Sequence, residues 1–337
     1  MLKHVVWTAT TLCLLAPCVT AAPFTASSAW QADAIRPSAV ARPAPPPAEQ
    51  NEPSAQDPRA QQAENLKQAP SILSSRFKAD RQALNNLFVI SQHHPNFVLP
   101  VTYVTNPNSV GNEDLTADNV DNTEAKFQLS VKLPLYLQND TTDGVYFGFT
   151  LTSFWQLYNS QVSKPFRETN YEPEIFYMKE ADISVLGYDF NAFQVGFNHM
   201  SNGQSGLRSR SWNRLYASVL FSDYDDIYYF KTWYRIPEDE KINEDDPTGD
   251  DNPNIQDYYG RVEIGYGTRI GKVKLLARLR NNVNFSTNRG SIEMNLTYPL
   301  SDRYELLLQY FNGYGDSLID YDRSQERIGI GFQLMFL

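Results

Sequence analysis

His199 and Ser201 stand two residues apart in a run that alternates apolar and polar members. Phe193, Val195 and Phe197 lie on one side of it, and Gln194, Gly196, Asn198 and Met200 on the other. In an extended strand residues i and i+2 share a face, so the imidazole and the hydroxyl project together from the apolar side. The following run, Ser211, Asn213, Leu215, Ala217, Val219 and Phe221, has the same pattern. A hairpin centred near Gly206 sets His199 opposite Asn213 and Ser201 opposite Ser211. Polar groups are costly on a wall that meets lipid, and two explanations stand. Either these residues lie where the strand leaves the membrane and belong to the wet interface, or Ser201 is a nucleophile for an ester. In the second case His199 takes the serine proton and Asn213 fixes the ring and its tautomer. An amide stabilises imidazolium less than an ionised carboxylate would, so this reading calls for further electrostatic help, most simply a cation.

The positioning elements are strands. Alternation with a period of two recurs in twelve runs: near 96–104, 126–138, 144–158, 172–183, 189–200, 211–222, 226–236, 257–270, 272–284, 289–299, 303–314 and 326–337. An even strand count, tight connections after even-numbered strands and long ones after most odd-numbered strands are marks of an outer-membrane barrel. A soluble β-sandwich also alternates, but its strands are short, about 5 to 6 residues. Several runs here are twice that length, aromatics gather at their ends, and the chain closes on Phe332, Leu334 and Phe336. The expected fold is therefore all-β: a twelve-stranded antiparallel transmembrane β-barrel over residues 96–337.

Composition bounds the remaining possibilities. The 337 residues are 42% hydrophobic, 20% charged and 13% aromatic, with a net charge of −10. A mean hydropathy of −0.46 suits a barrel that turns polar side chains inward. The acidic balance argues against an extended nucleic-acid surface. Residues 1–22 read as a signal peptide with Lys3 in its n-region, and both cysteines, Cys13 and Cys18, fall inside it. The folded part then has no thiol for a disulfide or a metal. Residues 23–70, rich in Pro, Ala and Gln, read as an extended linker, and 71–95 as a short pre-barrel segment with one helix within 70–88.

The run His199, Met200, Ser201, Asn202, Gly203, followed by Ser209, Arg210, Ser211, Trp212, Asn213, Arg214, Leu215, Tyr216, resembles the signature of the outer-membrane phospholipase A family. Two further stretches agree, Pro165 to Pro173 (Pro-Phe-Arg-Glu-Thr-Asn-Tyr-Glu-Pro) and Gly313 to Tyr321 (Gly-Tyr-Gly-Asp-Ser-Leu-Ile-Asp-Tyr). The resemblance implies a calcium-dependent acyl hydrolase that cleaves glycerophospholipids and lysophospholipids from the outer leaflet of the bacterial outer membrane, active as a homodimer. It assigns Ser201 as nucleophile, His199 as base, Asn213 as orienter and the Gly203 N–H as oxyanion donor. For Ca2+ it implies the carbonyl of Gln204 and the side chain of Ser209, with Ser163 from the partner subunit.

Two positions depart from the pattern. Gln204 stands where the family commonly has arginine, an exchange that a carbonyl ligand tolerates. Gly206 stands where the family commonly has an aspartate of a second calcium site in the monomer, and Asp251 resembles the other aspartate of that site. Losing an anionic oxygen weakens a hard-cation site, so the dimer-linked site is expected to persist and the monomer site to be weak or absent. The rest of the acidic stretch from Glu238 to Asp251 reads as a solvated loop. The competing functions are a non-enzymatic barrel, channel or structural, and a lipopolysaccharide deacylase.

Overall fold

The computed structural model describes residues 90–110, 114–138, 141–185, 188–223, 226–243 and 249–334. The signal peptide, the linker and the helix expected within 70–88 lie outside the described residues. Two residues, β1 (Ser91–Gln92), precede twelve barrel strands. These are β2 (Asn96–Val104), β3 (Thr123–Leu137), β4 (Gly144–Trp155), β5 (Phe166–Val185), β6 (Tyr188–Ser201) and β7 (Ser211–Asp223), then β8 (Asp226–Ile236), β9 (Val262–Ile270), β10 (Val273–Asn281), β11 (Gly290–Pro299), β12 (Tyr304–Tyr314) and β13 (Ser324–Leu334). Each pairs antiparallel with its chain neighbour, and β13 closes on β2 with Arg327 opposite Val104 and Leu334 opposite Asn96. Closure leaves no open edge, which hydrocarbon could not solvate.

The connections sort as expected. Counted between strand bounds, six of the intervals between strands, after β2, β4, β6, β8, β10 and β12, are long, and those after β3, β5, β7, β9 and β11 are short.

Alternation sets the two faces. On β12, Glu305, Leu307 and Gln309 are buried while Leu306 and Leu308 are exposed. Val98, Val195, Leu215, Ile264, Leu296 and Ile330 are likewise exposed, and together they form an apolar outer band. Inside, Lys126, Glu174, Arg214, Gln309 and Arg327 are buried. Lys126, Glu172, Arg214, Lys231, Glu263 and Arg278 line a polar cavity of about 130 Å3 among these side chains.

Two strands differ most in extent from the sequence reading, and the one expected over 172–183 spans Phe166–Val185. The strand expected over 257–270 begins only at Val262, and Ile255–Tyr259 is a short helix, α1. Tyr258 and Tyr259 continue the apolar pattern, but they pack around the barrel mouth, against Tyr314 and Tyr321 and against Trp212 respectively. Gly260 ends the helix with φ +97°, and a Cβ there would meet the Asn281 carbonyl oxygen at 2.7 Å.

Pairing also starts earlier than residue 96, because Ser91 and Gln92 pair with Lys132 and Val131 on β3. The break between β1 and β2 carries His93, whose Nε2 lies 2.7 Å from Glu174 Oε1. The other Glu174 oxygen accepts from the Tyr216 hydroxyl at 2.5 Å. Both carboxylate oxygens are thus engaged, and the group ties the entry of the chain to the barrel interior.

Candidate active site

Strands β6 and β7 owe their form to β-branched and aromatic residues at alternate positions, Phe193, Val195 and Phe197 against Leu215, Val219 and Phe221. Their register pairs His199 with Asn213 and Ser201 with Ser211, as the hairpin arithmetic expects. Val195 is 45% exposed and Phe197 40%, whereas Asn198 and Met200 are buried, so this face is the outer wall. On it, His199 Nδ1 lies 2.8 Å from Asn213 Oδ1. Ser201 is on the same face, flanked by its register partners Tyr171 on β5 and Ser211 on β7. Among the described residues the Ser201 hydroxyl has no hydrogen-bond partner, so His199 and Asn213 are joined while Ser201 stands beside them unengaged.

The turn after Ser201 is organised by a residue to which the sequence reading gave no role. Asn202 is buried, and its backbone N–H donates to the Arg210 carbonyl at 3.0 Å. Its side-chain oxygen accepts from the N–H groups of Arg210 at 3.0 Å and Gln204 at 3.3 Å. Its side-chain nitrogen donates to the Arg208 carbonyl at 2.7 Å. Between these anchors Gly203 takes φ +63° and Gly206 φ +60°, left-handed conformations that favour glycine. The Gly203 N–H meets no acceptor among the described residues.

The other two signature stretches meet beneath this turn. Glu168 accepts from the Asn202 side chain at 3.3 Å and from the Ile319 N–H at 3.2 Å, and Asn170 accepts from the Leu318 N–H at 3.0 Å. Arg167 bridges Glu124 and Asp320 at 2.9 and 2.7 Å. Arg327 bridges Glu124 and Asp316 at 2.8 and 2.6 Å, and Lys126 Nζ lies 2.8 Å from Asp316. Burial alone would raise the Asp316 carboxyl; the charges of Arg327 and Lys126 outweigh it and hold the group below the usual aspartate range. A buried charge is tolerated when paired in this way, and here the pairs join β3, β5, β13 and the loop 315–323 into one support.

The residues implied for calcium divide. Gln204 is exposed in the turn, and Ser209 is half-buried at its far end. Ser163 is exposed on the loop 156–165, outside this cluster. Asp251 accepts from the Ser209 and Ser211 hydroxyls at 2.7 and 3.1 Å, and Lys241 Nζ lies 2.5 Å from its other oxygen. The Gln204 carbonyl and the Ser209 hydroxyl are oxygen donors of the kind a hard cation takes. At Asp251 an ammonium already occupies one carboxylate oxygen.

Sequence reasoning also passed over Glu238, which it placed in the solvated loop. Asn213 Nδ2 donates to Glu238 Oε1 at 2.7 Å. The available signal was its position two residues beyond Ile236, the register partner of Asn213.

The family model of Phospholipase A1 matches residues 73–334. The chain belongs to the phospholipase A1 family. Phospholipase A1 of Escherichia coli (strain K12) is 34% identical over 270 residues, covering 79% of this chain and 88% of that protein. Among solved structures, the outer membrane phospholipase A of Escherichia coli, in an active-site mutant, shares 34% identity at a TM-score of 0.67, covering 76% of this chain and 95% of that one. The Salmonella typhi outer membrane phospholipase, a dimer with bound calcium, shares 33% identity at a TM-score of 0.68, covering 77% and 97%. Family and barrel agree: this member of the phospholipase A1 family is an outer-membrane β-barrel.

Proposed function

We propose that this phospholipase A1 family member hydrolyses acyl esters of glycerophospholipids and lysophospholipids at the outer leaflet through Ser201, His199 and Asn213. The observation that carries this reading is the 2.8 Å contact of His199 Nδ1 with Asn213 Oδ1 on the lipid-facing wall, with Ser201 on the same face. With Nδ1–H donating to Asn213, Nε2 is the atom that accepts the serine proton. Ser201 Oγ attacks the ester carbonyl carbon as its proton passes to His199. The carbonyl oxygen becomes an oxyanion, for which the unengaged Gly203 N–H is the donor. The bond to glycerol oxygen then breaks as His199 returns the proton to the leaving alkoxide. Water, activated by the same imidazole, releases the fatty acid from the acyl-serine and restores Ser201.

Calcium fits the Gln204 carbonyl and the Ser209 hydroxyl, joined by Ser163 of the partner subunit. A cation held by these oxygens would supply positive charge that offsets the developing oxyanion. A homodimer matches the bound-calcium dimer of the Salmonella typhi relative and an apolar outer wall able to bury against a second copy. The triad lies at the long-loop end of the barrel, the extracellular end in such proteins, hence the outer leaflet. The deciding experiment is fatty-acid release from phospholipid micelles, with calcium or with chelator, by wild type and Ser201→Ala. Release that needs both Ser201 and calcium supports the reading. Release by Ser201→Ala, or release from lipopolysaccharide alone, refutes it.

A further inference from the structure

An asparagine is a poor orienter in isolation. Its amide oxygen and nitrogen are nearly the same size, and only one of the two ends can accept from an imidazole N–H. With the amide reversed, Nδ2 would face the ring, Nδ1 would become the acceptor, and the ring proton would sit on Nε2, where it blocks transfer from Ser201. Something must select between the two orientations.

We propose that Glu238 is the positioning residue that makes this selection. The proposal rests on the reading of Ser201, His199 and Asn213 given above. Glu238 Oε1 lies 2.7 Å from Asn213 Nδ2, and Asn213 Oδ1 lies 2.8 Å from His199 Nδ1. An ionised carboxylate only accepts hydrogen bonds. The nitrogen end of the amide must therefore face Glu238, which leaves the oxygen end for the histidine. An oxygen there requires the proton on Nδ1, which frees Nε2 as the base. One carboxylate thus fixes the flip of the amide, and the amide fixes the tautomer of the ring. The chain of groups is His199, Asn213, Glu238.

The same contact supplies charge. When His199 takes the serine proton it becomes a cation, and a neutral amide answers that charge weakly. A carboxylate on the far side of the amide polarises it, placing more negative charge on Oδ1 at the moment the imidazolium forms. Glu238 acts only through Asn213.

The fold delivers Glu238 by register. Asn213 pairs with Ile236, the last residue of β8, so the chain leaving β8 passes alongside the orienter as it enters the loop 237–261. Pro237 starts that loop, and its fixed φ limits the paths open to the next residue.

The test compares Glu238→Gln, Asn213→Asp and the double variant with wild type, in micelles with saturating calcium. Heat-modifiable migration on gels shows that each barrel is folded. Glu238→Gln removes the charge and lets the amide partner present either end, so kcat falls about tenfold with KM unchanged, the difference between a charge-assisted and a neutral hydrogen bond. Asn213→Asp alone sets two carboxylates against each other and loses more. In the double variant the introduced glutamine donates from its amide to the introduced carboxylate, which accepts directly from His199, and activity rises above that of Asn213→Asp. A residue that merely braced the loop would give losses that multiply, and that outcome overturns the proposal, as does a Glu238→Gln enzyme with wild-type kcat. Ser201→Ala keeps the two claims separate. If it retains turnover, the reading of the site fails; if it is dead while Glu238→Gln is unaffected, only the role of Glu238 fails.

Discussion

Lys241 Nζ lies 2.5 Å from Asp251 Oδ1, so the carboxylate that resembles a calcium ligand of the monomer already holds a cation of the chain's own. Gly206 stands where the resemblance places the second aspartate of such a site. An anion short of one partner and paired with a lysine has little to offer a divalent ion. Calcium titration by calorimetry, on protein kept monomeric in detergent, is expected to show weak binding. Lys241→Ala should tighten it by about tenfold, because one repelling charge leaves and a carboxylate oxygen is released. Tight binding by the wild-type monomer, unchanged in Lys241→Ala, would contradict this account.

Asn202 is the second target. Its side chain holds Arg208, Arg210 and Gln204 in the turn that carries Gly203. In Asn202→Ala the N–H groups of Gln204 and Arg210 and the Arg208 carbonyl lose their partner, each worth about 0.5 to 1.5 kcal/mol as a net hydrogen bond. The barrel loses only one 3.3 Å contact to Glu168 on β5, so heat-modifiable migration should persist while fatty-acid release falls by about a hundredfold or more. A variant with near-normal release would show that the turn is held by other contacts.

Gly203 offers a subtler change. At φ +63° an alanine costs about 1 to 2 kcal/mol, and its methyl group would sit 3.4 Å from the Tyr171 ring. Gly203→Ala is expected to lower kcat by about tenfold with little effect on KM, since the amide it displaces serves only the oxyanion. A raised KM with unchanged kcat would move the residue from oxyanion donor to substrate contact.

The ion pairs beneath the turn make stability depend on acid. The Asp316 carboxyl is held below its usual range when folded, so it binds its proton less readily folded than unfolded. Its contribution is complete above the unfolded value of about 3.9 and is lost as pH falls from there through the folded value. The temperature at which the barrel loses its folded migration should therefore drop as the pH is lowered below about 4. Asp316→Asn should be less stable at neutral pH, by about 3 to 5 kcal/mol for a broken buried pair, and less sensitive to acid. Equal acid sensitivity in the two proteins would assign the effect to other carboxylates.

How much of this can be read from the chain depends on the range of the signal. Alternation is local, so the strands, their outer faces and the pairing of His199 with Asn213 were legible; a hairpin turn relates the two sides by simple counting. Tyr258 and Tyr259 misled because aromatic residues before Val262 satisfy a strand pattern as well as a helix that folds back over the mouth. Glu238 and Lys241 sit in the loop 237–261, which has no period, and their partners are fixed by where β8 ends rather than by anything in the loop itself. The roles of Arg167 and Asp320 were likewise hidden, because the two lie far apart in the chain and only barrel closure brings them within 2.7 Å.

The proposed triad of Ser201, His199 and Asn213 lies on the outer wall of the barrel, not in its interior cavity. A soluble hydrolase raises the local concentration of its substrate by drawing it into a cleft, and it can be silenced by closing that cleft. If Ser201 is the nucleophile, as proposed, the medium around it is itself made of candidate substrate, at a mole fraction set by the leaflet and not by the protein. On that proposal, substrate supply depends on which lipids reach the outer face.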